Sequence, residues 1–157
     1  MYRNVHLIVT DKIHVPVWGT QITTPHVSKE FAAVRLQTRI DNAGEKTQIR
    51  METEILSPDG KVVTRKENTG RINHGQPFEQ NFIVNAPELW SPENPSLYKA
   101  VSKIYANNKL VDTYTTRFGI RSIEFIADKG FYLNGEHRKF QGVCNHHDLG
   151  PLGAAIN

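Results

Sequence analysis

An alternation of apolar and polar residues with a period of two runs through most of this sequence, and no segment sustains an apolar period of 3.6. That pattern restricts the chain to sheets with one buried and one wet face. Ala32, Val34, Leu36, Thr38 and Ile40 line one side of a strand, and Arg35, Gln37 and Arg39 the other. After the turn Asp41-Asn42-Ala43-Gly44 the pattern resumes, with Ile49, Met51, Thr53 and Ile55 facing one way and Arg50, Glu52 and Glu54 the other. The four residues Ser57–Gly60, SPDG, read as a β-turn, since proline presets φ at the second position. Val62–Arg65 reads as the next strand, and Phe78, Gln80, Phe82 and Val84 mark another. Leu97–Ala106 and Leu110–Thr116 form a hairpin about Asn107-Asn108-Lys109, because asparagine tolerates the positive φ of a tight turn. With Val5–Val9 and Val15–Trp18 at the front, the reading is an all-β sandwich of about seven or eight short strands. Cys144 is the only cysteine, so the chain has no internal disulfide and is immunoglobulin-like in architecture only.

Beyond Thr116 the character changes. FGIRSIEF, Phe118–Phe125, reads as an exit strand, Asn134-Gly135 as a hairpin turn and Phe140–Cys144 as one further strand. The tail Leu149–Asn157 is small and glycine-rich. A domain boundary is placed near residues 118–128, with 1–120 as the sandwich and 121–157 as the start of something else. Met1 followed at once by strand-like sequence suggests a piece excised from a longer protein.

The 157 residues are 38% hydrophobic with a net charge of +3, enough for one packed core. Basic and acidic residues interleave, which argues against nucleic acid as a partner. No apolar run reaches transmembrane length, and MYRNVHLIVTDKIHV alternates rather than forming the apolar block of a signal peptide.

The cluster Asn145, His146, His147 and Asp148 most invites chemistry. On an extended segment His146 and Asp148 project to one side and His147 to the other. Two ligands fall short of the three or four that zinc requires, and His6, His14, His26, His74 and His137 stand at no ligand spacing. These residues are loop histidines at a strand end, polar groups that recognise a ligand there, the position of active sites in β/α barrels, or, as a third reading, metal ligands His146, His147 and Asp148. Neither a G-x-S-x-G elbow nor a phosphate loop occurs. The segment PELWSPENPSLY, Pro87–Tyr98, carries three prolines that forbid regular pairing, and Leu89, Trp90, Leu97 and Tyr98 are too apolar for water. It reads as a crossover tucked against the sandwich, with sugar stacking on Trp90 as the alternative.

PELWSPENPSLY, FGIRSIEF and FYLNGEHRKF leading into GVCNHHDLGPLGAA, in that order, together with the opening YRNVHL, resemble glycoside hydrolase family 2, the family of β-galactosidases, β-glucuronidases and β-mannosidases. The resemblance implies a jelly roll, then an immunoglobulin-like sandwich, then a β/α barrel with the active site. The chain would then hold the sandwich and a stub of the barrel ending just past its first strand. Gly142 and Val143 match the family pattern G-V-N-x-H-E-D, while Cys144 and His147 depart from it. His146 and Asp148 match positions that contact the glycon sugar, and the form of the motif resembles gut-type bacterial β-galactosidase-like enzymes. The family's retaining mechanism uses two glutamates, the acid/base following an asparagine, and no Asn-Glu dipeptide occurs here. No catalytic residue, metal or cofactor is therefore assigned. The resemblance implies a β-glycoside as substrate of the longer parent only, jelly-roll and barrel domains as intramolecular partners, and a periplasmic or cell-surface location by analogy. A stand-alone carbohydrate-binding or adhesion module is the alternative. Beyond about residue 128 the chain is expected to be disordered, folded back on the sandwich, or paired with another copy.

Overall fold

The computed structural model describes residues 5–72 and 77–144. The strands are β1 (Ile13–His14), β2 (Thr20–Val27), β3 (Phe31–Arg39), β4 (Asp41–Asn42), β5 (Thr47–Leu56), β6 (Val62–Ile72), β7 (Pro77–Asn85), β8 (Tyr98–Ala106), β9 (Lys109–Phe118), β10 (Ile123–Ile126), β11 (Gly130–Leu133) and β12 (Glu136–Arg138). Seven of them make two antiparallel sheets, ordered β2-β3-β7 and β6-β5-β8-β9. β1 and β4 form a short pair, and β10-β11-β12 a separate three-stranded sheet.

The alternation read from sequence is the alternation observed. Ala32, Val34, Leu36 and Thr38 of β3, and Ile49, Met51, Thr53 and Ile55 of β5, all point into the interior. Burying each large aliphatic chain contributes about 1.5–3 kcal/mol. The hairpin between β8 and β9 turns on Asn107 and Asn108, both at positive φ (49° and 62°). Ser57–Gly60 closes as a turn, the Gly60 N–H donating to the Ser57 carbonyl at 2.9 Å.

The interior is two apolar clusters rather than one. Leu36, Ile55, Phe82, Tyr98, Phe118 and Ile120 belong to the first, and Ile40, Ile49, Met51, Ile72 and Ile104 to the second. Along each strand the switch between clusters falls at a polar residue: Thr38 on β3, Thr53 on β5, Gln80 on β7 and Ser102 on β8, all buried. Thr53 and Ser102 share a hydrogen bond of 2.9 Å, and Thr20 and Thr116 one of 2.8 Å between the edge strands β2 and β9. Gln80 Nε2 donates to Asn68 Oδ1 of β6 at 3.1 Å. Thr38 Oγ1 and Gln80 Oε1 have no partner among the described residues.

Outside, the four-stranded sheet carries charge. Glu52 and Glu67 stand directly opposite each other, a repulsive pairing. Arg50 bridges them, at 2.9 Å from Glu67 and 3.3 Å from Glu52, and its guanidinium lies 3.9 Å from the centre of the Tyr105 ring. Arg65 adds a second contact to Glu52 at 3.4 Å. These neighbours explain why Glu52 is buried, where the alternation places it on a wet face.

Five sequence expectations require correction. Phe118–Phe125 is not one exit strand: β9 ends at Phe118 and β10 begins at Ile123, with residues 119–122 between them outside any strand. Val5–Val9 forms no strand, and its apolar side chains are exposed. Val15–Trp18 is a turn, because Pro16 and the positive φ of Trp18 bend it and the Gly19 N–H donates back to the Pro16 carbonyl at 2.8 Å. β2, which follows, is invisible to period two because its register shifts between Thr23 and His26 around Pro25. Residues 140–144 form no strand and pair with no strand among the described residues. β6 is also longer than the four residues Val62–Arg65 suggested, at 11.

Candidate functional site

The segment expected to begin a site leaves the sandwich through β10–β12, and the way it is held follows from the crossover at 87–98. Leu89 bridges to Ile120, and the Trp90 N–H donates to the Ile120 carbonyl at 2.8 Å. Gly119 is required here, since a Cβ there would lie 2.8 Å from Trp90 Cβ and Cγ. The Arg121 guanidinium lies 5.1 Å from the centre of the Trp90 ring. The crossover reading of this segment therefore holds, and Arg121 occupies the Trp90 ring that a sugar would need.

The C-terminal sheet is tied to that crossover. Asn134 sits at φ 52° in the β11–β12 turn. Its side chain donates to the Trp90 carbonyl at 3.0 Å and accepts from the Ser122 N–H at 3.0 Å. Arg138 of β12 donates to both carboxylate oxygens of Glu93, at 2.7 and 3.4 Å. The Glu93 carboxyl is held below its usual range, first by its own backbone N–H, then by Ser91 and Arg138. Burial pushes the Tyr98 phenol up, and its oxygen accepts from the Glu88 N–H at 2.9 Å. Of the three fates expected beyond residue 128, folding back on the sandwich describes 130–138. Phe131 meets the tilted rings of Phe125 and Phe140, with ring centres 5.2 and 4.6 Å away.

His146 and Asp148, with Asn145 and His147, lie outside the described residues, as does His74. The other histidines are far apart in role: His14 Nδ1 meets the Asp11 carbonyl at 2.8 Å, His26 stacks on Phe31, and His137 sits edge-on to Tyr132. Among the described residues no three His, Cys, Asp or Glu side chains gather as metal ligands.

A cleft of about 870 Å³ opens between the end of β2 and residues 117–124. Thr23, His26, Arg117, Arg121 and Ser122 line it with a single carboxylate, Glu124. A retaining glycosidase needs two carboxyl groups about 5 Å apart. Among the described residues this cleft does not hold that pair. The Asn134 tie was beyond sequence reasoning, which saw in Asn134 only a turn former; the tie depends on contacts 44 residues apart.

Comparison with known proteins accounts for this architecture. Residues 15–121 match the family described as Glycosyl hydrolases family 2. The chain is 39% identical over its whole length to the β-galactosidase BoGH2A of Bacteroides ovatus, of which it covers 19%. It is 35% identical to a β-glucuronidase of Formosa agariphila, over 90% of this chain and 16% of that protein. A solved family 2 glycosyl hydrolase from Bacteroides cellulosilyticus superposes with a TM-score of 0.86 at 36% identity, covering 93% of this chain and 20% of that one. The chain thus spans about a fifth of the length of the relatives it matches. A match over most of the sandwich, joined to close superposition on a solved member, makes this chain a member of glycoside hydrolase family 2, in which it forms an immunoglobulin-like β-sandwich.

Proposed function

We propose that the chain is the non-catalytic scaffold of a retaining β-glycoside hydrolase that acts on β-galactosides. In this reading 1–120 is the spacer between a jelly roll and a barrel, and 121–157 begins the barrel. His146 and Asp148 would contact the glycon sugar in the full-length enzyme. The observation that carries the reading is the fixed exit path: Asn134 and Arg138 fasten the C-terminal sheet to the crossover at Trp90 and Glu93, so the chain leaves the sandwich through that sheet in a set direction. A spacer must supply such a direction. The galactoside preference is supported by the name of the 39% identical relative.

The test compares the 157-residue chain with the full-length enzyme on aryl β-galactoside and aryl β-glucuronide. Turnover is expected from the full-length enzyme on the galactoside and none from the chain alone. In the full-length enzyme, His146→Ala is expected to raise KM at least tenfold. Turnover by the isolated chain sinks the scaffold reading, and preference for the glucuronide sinks the substrate.

A further inference from the structure

Among the described large hydrophobic side chains of the sandwich, the most exposed aromatic one sits in the turn before β2. Trp18 is 88% exposed and sits at φ 63°, a conformation costly for any bulky L residue. The turn that holds it is built for it. Gly19 cannot be replaced, because a Cβ there would meet Pro16 at 2.8 Å and Val15 at 2.9 Å. The Trp18 N–H is fixed by the Tyr114 hydroxyl at 3.3 Å. Strained backbone that displays a side chain to solvent is a recurrent mark of a ligand platform.

Beside the indole lies a groove of about 420 Å³, lined by Trp18, Gln21, Gln37, Arg39 and Pro77. Its floor is two rungs of the outer face of the three-stranded sheet. Gln21 pairs with Gln37 and Gln37 with Glu79, while Arg39 pairs with Pro77 and donates its N–H to the Gly19 carbonyl at 2.7 Å. The charges are already matched: Arg39 lies 3.4 Å from Asp41, and Arg35 lies 2.6 Å from Glu79. Electrostatics therefore selects neither an anion nor a cation. What remains is a flat apolar ring next to amides and guanidinium N–H groups.

We propose that this groove binds a neutral oligosaccharide. The C–H face of a pyranose stacks on the Trp18 indole, while the amides of Gln21 and Gln37 and the outer nitrogens of Arg39 bond its hydroxyls. An open surface of this kind gives millimolar affinity and serves to hold a polymeric substrate near an enzyme. It stands or falls independently of whether the longer protein hydrolyses galactosides.

The test is an NMR titration of the 157-residue chain with a β-1,4-galactan hexasaccharide and with maltohexaose, up to about 20 mM to cover weak binding. The chain has two tryptophans, so the two indole N–H signals are separable. Saturable shifts of the Trp18 indole and of the Gln21 and Gln37 amides, with either sugar, are expected. In Trp18→Gly the amide shifts should vanish while the melting temperature stays level or rises, since glycine accepts the positive φ. No Trp18 shift with either sugar overturns the proposal, as do amide shifts that persist in Trp18→Gly. Shielding of Trp18 from iodide quenching in the sugar-free full-length enzyme also overturns it, because another domain would then cover the groove.

Discussion

The side-chain amide of Asn134 donates to the backbone carbonyl of Trp90 at 3.0 Å, joining the last hairpin to a crossover 44 residues earlier. The same side chain accepts from Ser122, so one residue closes three segments. Asn134→Gly keeps the positive φ and deletes both hydrogen bonds. Loss of about 1–3 kcal/mol is expected, confined to the C-terminal sheet. Amide exchange should speed up in β10–β12 and stay slow in β3 and β5; unchanged exchange in β10–β12 would count against the tie.

Gly119 is the second element of that junction. Gly119→Ala forces a methyl group against Trp90, and overpacking of this kind costs about 1–3 kcal/mol. Thermal unfolding followed by tryptophan fluorescence should show both the lower midpoint and a changed native spectrum. A spectrum and midpoint equal to those of the unaltered chain would show that the contact relaxes freely.

The buried Thr38 hydroxyl has no partner among the described residues. Removing an unsatisfied buried hydroxyl while keeping its shape is close to neutral or stabilising. Thr38→Val is therefore expected to leave stability equal or higher by up to about 1 kcal/mol. The paired Thr53 and Ser102 should behave oppositely, each single substitution (Thr53→Val or Ser102→Ala) costing about 1–2 kcal/mol and the double one less than the sum. Denaturant unfolding of all four variants checks the contrast.

Asp59 in the Ser57–Gly60 turn has its carboxyl lowered to about 2, first by the Lys61 ammonium and then by the Ser57 hydroxyl. A folded value below the unfolded one means that this contribution is present above about pH 4 and is lost as pH falls through about 2. Asp59→Asn should remove that part of the acid dependence. Titration of the Asp59 carboxyl carbon by NMR checks it, and a midpoint near 4 would contradict it.

How far the sequence revealed all this differs by region. β3, β5, β7 and the β8–β9 hairpin were plain, because each has one buried face and the alternation is unbroken. β2 was hidden because Pro25 and the bulge scramble its period, though the same features blunt its open edge. Phe140–Cys144 looked like a strand because strand-like residues mark a potential to pair, and no strand among the described residues pairs with 140–144. For the site, Trp90 attracted attention by its company of prolines, and Arg121 covers it. Trp18 stood in an apparent strand, and nothing in its neighbours' identity told that its backbone would turn left-handed and lift the ring clear of the surface.

The division of the interior by Thr38, Thr53, Gln80 and Ser102 bears on how the strands find each other. Sliding one strand past its neighbour by two residues keeps every side chain on its proper face, so greasiness alone would not reject the error. Such a slide would push the Thr53 or Ser102 hydroxyl, or the Gln80 amide, into oil and leave its mate unanswered. The polar ring thus works as a set of alignment marks, and the molecule gives up some cohesion at its waist in return for a single way of closing.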